Sequence, residues 1–202
     1  MFFHKLPLVA SLLTHPNTMT EQQFYQLLHR RLSQIAIGAS AIRNQGSGGL
    51  IKILREYFET QVDLDQFVKS LVGEAEYSVF LNGHTSHILT LFPDTAQSWG
   101  AARKGLNLFL REIIYSKFFS HRFSLPDNFS NFNSLVKFME VPLDRDVANG
   151  LIADSKGLLP KWINIKHLTP TISECYQKQA FLIATHENIA RVNLDLKYWR
   201  SA

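Results

Sequence analysis

The sequence predicts an all-helical protein. Apolar residues recur at i, i+3 and i+4 spacing along nearly the whole chain, and nowhere do strand-like runs alternate with helices as a parallel sheet requires. The size fits: 202 residues, 46% apolar and 19% charged, make one domain or two small lobes around one cleft. The first 19 residues form a leader, with Met19 an alternative start, and residues 20–202 form the domain.

Thr20 followed by Gln23 is a capping box, and Phe24, Leu27, Leu28, Ile35 and Ala39 trace a stripe ending at Ile42. The polar, glycine-rich stretch 43–49 is a turn. A second helix turns Leu50, Ile51, Leu54, Tyr57 and Phe58 inward. Asp63 and Gln66 cap a third, carrying Phe67, Val68, Leu71 and Val72. Tyr77–Leu81 continues as helix until Asn82-Gly83, and Thr85 opens a short helix that Pro93-Asp94 breaks.

From Arg103, the residues Leu106, Phe109, Leu110, Ile113 and Ile114 mark a strongly amphipathic helix ending near Phe119. Residues 120–135 are a polar loop tacked down by Phe123, Phe129 and Phe132. Asp144 opens a helix through Val147 and Leu151. Thr169-Pro170 places a cap and then proline at the first helical position of a helix to about His186. Residues 191–200 fit either a short strand or a last helical turn.

Composition narrows the function. Ten glycines and seven prolines without period exclude collagen-like and repeat architectures. Cys175 is the only cysteine, so a disulfide scaffold, a cysteine-rich zinc site and an iron–sulfur cluster held by this chain are excluded, and the thiol reads as a small core residue. His84 and His87 sit at i, i+3 with no third ligand evident, so neither a metal nor a cofactor is expected. No apolar run reaches the roughly 18–20 residues of a membrane span, and Pro7 interrupts the N-terminal one; the expectation is a cytoplasmic monomer off the membrane.

The net charge is +4, with a pI of about 9.2. It is unevenly spread. Residues 51–96 are acidic, whereas 97–122 set Arg103, Lys104, Arg111, Lys117 and Arg122 against Glu112 alone. Lys104, Asn107 and Arg111 share one helix face, opposite the apolar stripe. Lysine and arginine beside free N-terminal amides suit phosphate. Asp195 reads as a structural partner of Arg191 or Arg200.

Two motifs sharpen this. Trp99-Gly100-Ala101-Ala102-Arg103-Lys104 reads as a tight turn feeding a helix, and Leu143-Asp144-Arg145-Asp146-Val147 as a second helix start. Together they resemble the helix-hairpin-helix DNA glycosylases, the endonuclease III and archaeal 8-oxoguanine glycosylase group. That family's hairpin reads G-V-G-x-K and carries the nucleophilic lysine; its next helix opens V-D-x-H-V or V-D-x-R-V and carries the essential aspartate. Here Ala102 replaces the second glycine and Trp99 stands in place of the leading Leu-Pro. The resemblance covers residues 21–155.

The resemblance implies a cluster-free, two-lobed helical enzyme, with 50–143 as one lobe and 20–49 plus 144–202 as the other. It implies a nucleoid-associated glycosylase that binds double-stranded DNA and excises a damaged or modified base, with or without Schiff-base lyase activity. Lys104 and Asp144 would be catalytic. Gly100, Ala101, Arg103, Asn107 and Arg111 would contact the backbone; Arg43, Asn44 or Gln45 would plug the gap left by the base; Trp99, Trp162 and Trp199 could wall its pocket.

The chemistry stands apart from the family. Losing a base builds positive charge on C1′ and the ring oxygen, which a carboxylate stabilises, and a lysine amine attacks C1′ only when neutral. Each residue also has an ordinary reading: Asp144 as a helix cap, Lys104 as a phosphate contact or solvated charge. A non-catalytic DNA-binding module, or a helical protein unconnected with nucleic acid, therefore remain open.

Overall fold

The structure, a computed structural model, describes residues 18–42, 45 and 48–199. Among them there are helices and no strands. The helices are α1 (Glu21–Ile35), α2 (Leu50–Thr60), α3 (Leu64–Ser70), α4 (Glu74–Leu91), α5 (Trp99–Tyr115), α6 (Lys117–Arg122), α7 (Phe129–Leu135), α8 (Arg145–Asp154), α9 (Pro170–His186) and α10 (Leu194–Tyr198). Short 3-10 turns lie at Asp94–Ala96, Ile165–His167 and Arg191–Asn193. No helix among the described residues is long and apolar enough to cross a membrane.

Thr20 closes its capping box: the Gln23 amide donates to Thr20 Oγ1 at 3.2 Å and the Thr20 amide to Gln23 Oε1 at 2.8 Å. Helix α1 then stops at Ile35, not Ile42. The chain turns so that Ile37 and Ile42 are both buried, and Arg55 Nη2 donates to the Ile37 carbonyl at 2.8 Å. The expected stripe is only partly inward: Phe24, Leu27 and Ile35 are exposed, and Leu32 takes the buried position. Asn82-Gly83 does not break α4, because packing against α5 outweighs the ~1 kcal/mol cost of a helical glycine. The region 120–135 is partly helical: α6 runs into it, and Asn128 caps α7 by accepting from the Ser130 and Asn131 amides. The tail resolves as a 3-10 turn and α10.

Two hydrophobic clusters result. The first holds residues of α1–α6, the 136–139 segment, Ala190 and Val192; the second holds residues of α8, α9 and α10 with Val141, Leu143 and Leu168. Helix α1 packs on α2 and α5 within the first cluster, so residues 20–42 group with those helices and not with 144–202. At the centre, Phe58 stacks on Phe109 with centroids 4.7 Å apart, and His29 stacks on Phe109 at 5.7 Å.

His29 Nε2 lies 2.9 Å from the Phe58 carbonyl, and burial pushes the imidazole below its ordinary value. Burial and His87 do the same to His84. The unfolded chain therefore takes up protons that the folded one refuses. Stability is fully present above the unfolded histidine value of about 6.5 and is lost as pH falls below it. Urea midpoints should drop between about pH 7.5 and 5, and His29→Gln, which keeps a donor for Phe58, should make that drop shallower.

Helix α5 is the axis. Every residue from Gly100 to Leu110 is buried. Gly105 lets α2 approach, since a Cβ there would lie 2.8 Å from Leu54 Cδ1.

Candidate active site

The basic face of α5 does not look out to solvent. Arg103, Lys104 and Asn107 are buried and Arg111 is half-buried. Carboxylates from the C-terminal part of the chain meet them. Asn107 Nδ2 donates to Glu140 Oε2 at 3.0 Å, and Arg103 Nε lies 3.6 Å from the same oxygen. Arg111 pairs with Asp195 and, at 2.7 Å, with Glu112. The contacts expected of Arg103, Asn107 and Arg111 with phosphate are thus replaced by a polar seam joining α5 to the C-terminal half of the chain. Asp195 pairs with Arg111, not with Arg191; Arg200 lies outside the described residues.

The turn expected at 99–104 is helix from Trp99 onward. Ser98 caps it, its hydroxyl accepting from the Ala101 amide at 3.2 Å. Gly100 is not a phosphate clamp: a Cβ there would collide with the Ile165 carbonyl and lie 2.7 Å from Leu168 Cβ. Glycine is needed because the 3-10 turn Ile165–His167 lies against the first turn of α5. That cover, with the Ser98 cap, also takes Ala101 out of reach of a ligand.

Lys104 and Asp144 do come together, 40 residues apart in sequence, with Nζ donating to Oδ2 at 3.3 Å. The lysine side chain is 8% exposed and the aspartate 36%, so Asp144 is the side of the pair that faces water. Asp144 is also the N-cap of α8: its Oδ1 accepts from the Asp146 and Val147 amides, each at 3.0 Å. One carboxylate oxygen therefore fixes the helix and the other holds the lysine. Asp146 leans instead towards Arg145, at 3.6 Å.

A cavity of about 310 Å³, lined by neither Lys104 nor Asp144, opens between α4, α5 and α9, at the boundary of the two clusters. Trp99 lines it, with the Arg103 guanidinium 4.9 Å from its ring centre. Trp162 does not: it packs edge-on to Tyr176 in the second cluster, centroids 5.8 Å apart. Trp199 is exposed on α10's C-terminal side. Of the residues expected to plug the duplex, Gln45 is buried and so does not project, while Arg43 and Asn44 lie outside the described residues.

Three residues here escaped sequence reasoning. Glu140 bridges Arg103 and Asn107. Tyr77, buried on α4, reaches the cavity, and burial raises its hydroxyl above the ordinary tyrosine value. Arg191, also buried, donates Nε to the Met139 carbonyl at 3.1 Å, Nη1 to Gln177 at 3.2 Å and Nη2 to Phe138 at 2.5 Å. No local pattern marks them; only the docking of the C-terminal half on α5 does. Cys175, expected in the core, is exposed, because α9 turns Tyr176 and Gln177 inward.

Neither family models, nor curated proteins, nor solved structures gave a match to the chain.

Proposed function

We propose that the protein is a DNA glycosylase, its two clusters forming the lobes around the cleft. It takes a damaged or modified base out of the duplex and cuts its bond to deoxyribose. The observation that supports this is the Lys104–Asp144 contact at 3.3 Å, between a buried amine and a partly open carboxylate. Lys104 attacks C1′ and the base departs with the electron pair of the broken bond. Asp144 faces the positive charge that grows on the sugar, and its Oδ2 is within reach of the proton the lysine must lose. With lyase activity, the lysine remains on the opened sugar as a Schiff base.

Duplex contact then falls to exposed cations, since those of α5 are buried. The connection from α8 to α9 carries exposed Lys156, Lys161, Lys166 and His167 and no acidic residue between Ser155 and Ser173. It touches α5 at Gly100, one turn from Lys104. Such cations hold phosphates in a salt-dependent way.

A second reading, a non-catalytic DNA-binding module on the same scaffold, is favoured by one observation. Lys104–Asp144 lies in a row with the Arg103–Glu140 and Arg111–Asp195 pairs, and all three can serve as staples.

The test is sodium borohydride reduction on duplexes with an abasic site, and alkali cleavage after incubation with a panel of lesions. A covalent adduct, or cleavage at one lesion, supports the enzyme; neither, with DNA binding intact, favours the module. Asp144 separates its own two roles. Asp144→Asn keeps the cap oxygen but turns an amide donor towards the buried Lys104 ammonium, so it should cost about 1–3 kcal/mol while excision falls about a hundredfold or more. Asp144→Ala loses the cap as well as the partner of the Lys104 ammonium. It should cost about 2–4 kcal/mol in urea unfolding, less than a fully buried pair because the aspartate is partly in water.

A further inference from the structure

We propose that Tyr57, His84 and His87 form a site for a divalent transition-metal ion of the zinc or copper class, bridging α2 and α4. The two histidines lie three residues apart on one face of α4. The sequence shows no third ligand for them, and the fold brings one, the Tyr57 hydroxyl of α2. Tyr57 Oη lies 2.8 Å from His84 Nδ1 and 3.4 Å from His87 Nδ1. Among the described residues no three histidine, cysteine, aspartate or glutamate side chains gather as a metal site, so it is the tyrosine that completes the set.

Two ring nitrogens thus converge on one oxygen. A hydroxyl has a single proton, which it can give to only one of them. Given to His84 Nδ1, at the shorter distance, it puts that ring's own proton on Nε2 and leaves Nδ1 as the lone-pair side. The longer contact to His87 is a weak bond at best. An ion among the three atoms takes a lone pair from each, and the hydroxyl proton leaves for solvent as the oxygen binds. Ligand atoms about 2.0 Å from a tetrahedral ion lie roughly 3.3 Å from one another, close to the spacings already present. His87 is exposed, so water reaches the fourth position.

Packing holds the rings in place. Tyr57 is 3% exposed, and its ring meets His84 and His87 edge-on, with centroids 5.8 and 5.2 Å apart. Phe80 packs against the His84 ring at 4.5 Å. Side chains already ordered lose little entropy on binding. Charge favours a cation here: α4 carries Glu74 and Glu76 and no lysine or arginine, and residues 51–96 as a whole are acidic. Imidazole nitrogens select ions of the zinc, nickel and copper class over magnesium and calcium, which prefer oxygen. The ion would tie α2 to α4 inside the first cluster. This site goes beyond the glycosylase reading and needs neither DNA nor Lys104.

The test titrates the full chain, first stripped with chelator, with zinc chloride by calorimetry while histidine-ring NMR signals are followed. Magnesium chloride is the control. Zinc should move the His84 and His87 signals together and to saturation, ahead of the other histidines, and magnesium should move neither. Zinc should also raise the melting temperature, because an ion that binds the folded chain shifts unfolding by mass action. His87→Ala changes an exposed residue, so the variant should fold like the parent and bind zinc at least about tenfold more weakly. Tyr57→Phe removes the oxygen, keeps the ring and should weaken zinc about tenfold, with circular dichroism checking its fold. No saturating shift at His84 and His87, or unchanged affinity in either variant, overturns the proposal and leaves the three residues as a hydrogen-bonded cluster.

Discussion

Lys104→Gln should abolish borohydride trapping on abasic-site DNA and lower any lyase turnover by more than about a hundredfold. The reason is chemical: only an amine carries the covalent step, and among the described residues Lys104 is the buried lysine. Glutamine puts an amide N–H donor near Asp144 Oδ2, so the seam is left with a hydrogen bond from an uncharged donor in place of an ion pair. The folded state should survive, with a stability change of about 1–2 kcal/mol, which circular dichroism and urea unfolding check on the same sample. A variant that traps as well as the parent would remove the nucleophile from the proposed mechanism. A variant that binds DNA and unfolds like the parent but fails to trap isolates the chemistry.

Arg191→Lys should destabilise the protein by about 2–4 kcal/mol, the largest loss expected from a change that keeps the charge. Arg191 is 8% exposed and its guanidinium reaches three backbone carbonyls, two at Phe138 and Met139 and one at Gln177 on α9. Those carbonyls belong to the end of the first cluster and to the helix of the second. A lysine ammonium is a point donor and cannot reach all three, so at least one buried acceptor loses its partner. Urea unfolding with the far-UV signal as readout gives the number. A loss under about 0.5 kcal/mol would mean that water replaces the fork at no cost.

Local structure was legible in the sequence where a few neighbouring residues decide it. The Thr20–Gln23 box, Thr169-Pro170 and Asp144 each mark a helix start because the cap is a bond made within three residues. Helix ends were less legible: α1 stops at Ile35 because the core requires Ile37 and Ile42, a demand made by distant residues. The pairing of Lys104 with Asp144 was implied by motif order.

The environment of α5 was not. Polar residues opposite an apolar stripe read as a solvent face, yet Glu140 and Asp195 arrive from far along the chain to cover them. One signal was present: Gly100, Ala101, Ala102 and Gly105 leave α5 too slim for a surface helix, and slim helices are approached from more than one side. The cleft between α4, α5 and α9 was half legible for the same reason. Trp99 is fixed by the helix that carries Lys104, whereas Tyr77 and Glu140 enter only when the two clusters meet.

The exposed thiol of Cys175 gives the fold a practical handle. It is the chain's only cysteine, and it sits next to Glu174, which lines the cleft. A spin label or dye therefore attaches at one position without first deleting any residue. Placed on α9 and facing solvent, the probe would report directly whether the rim of the cleft changes when a duplex arrives, in a protein that needs no engineering to carry it.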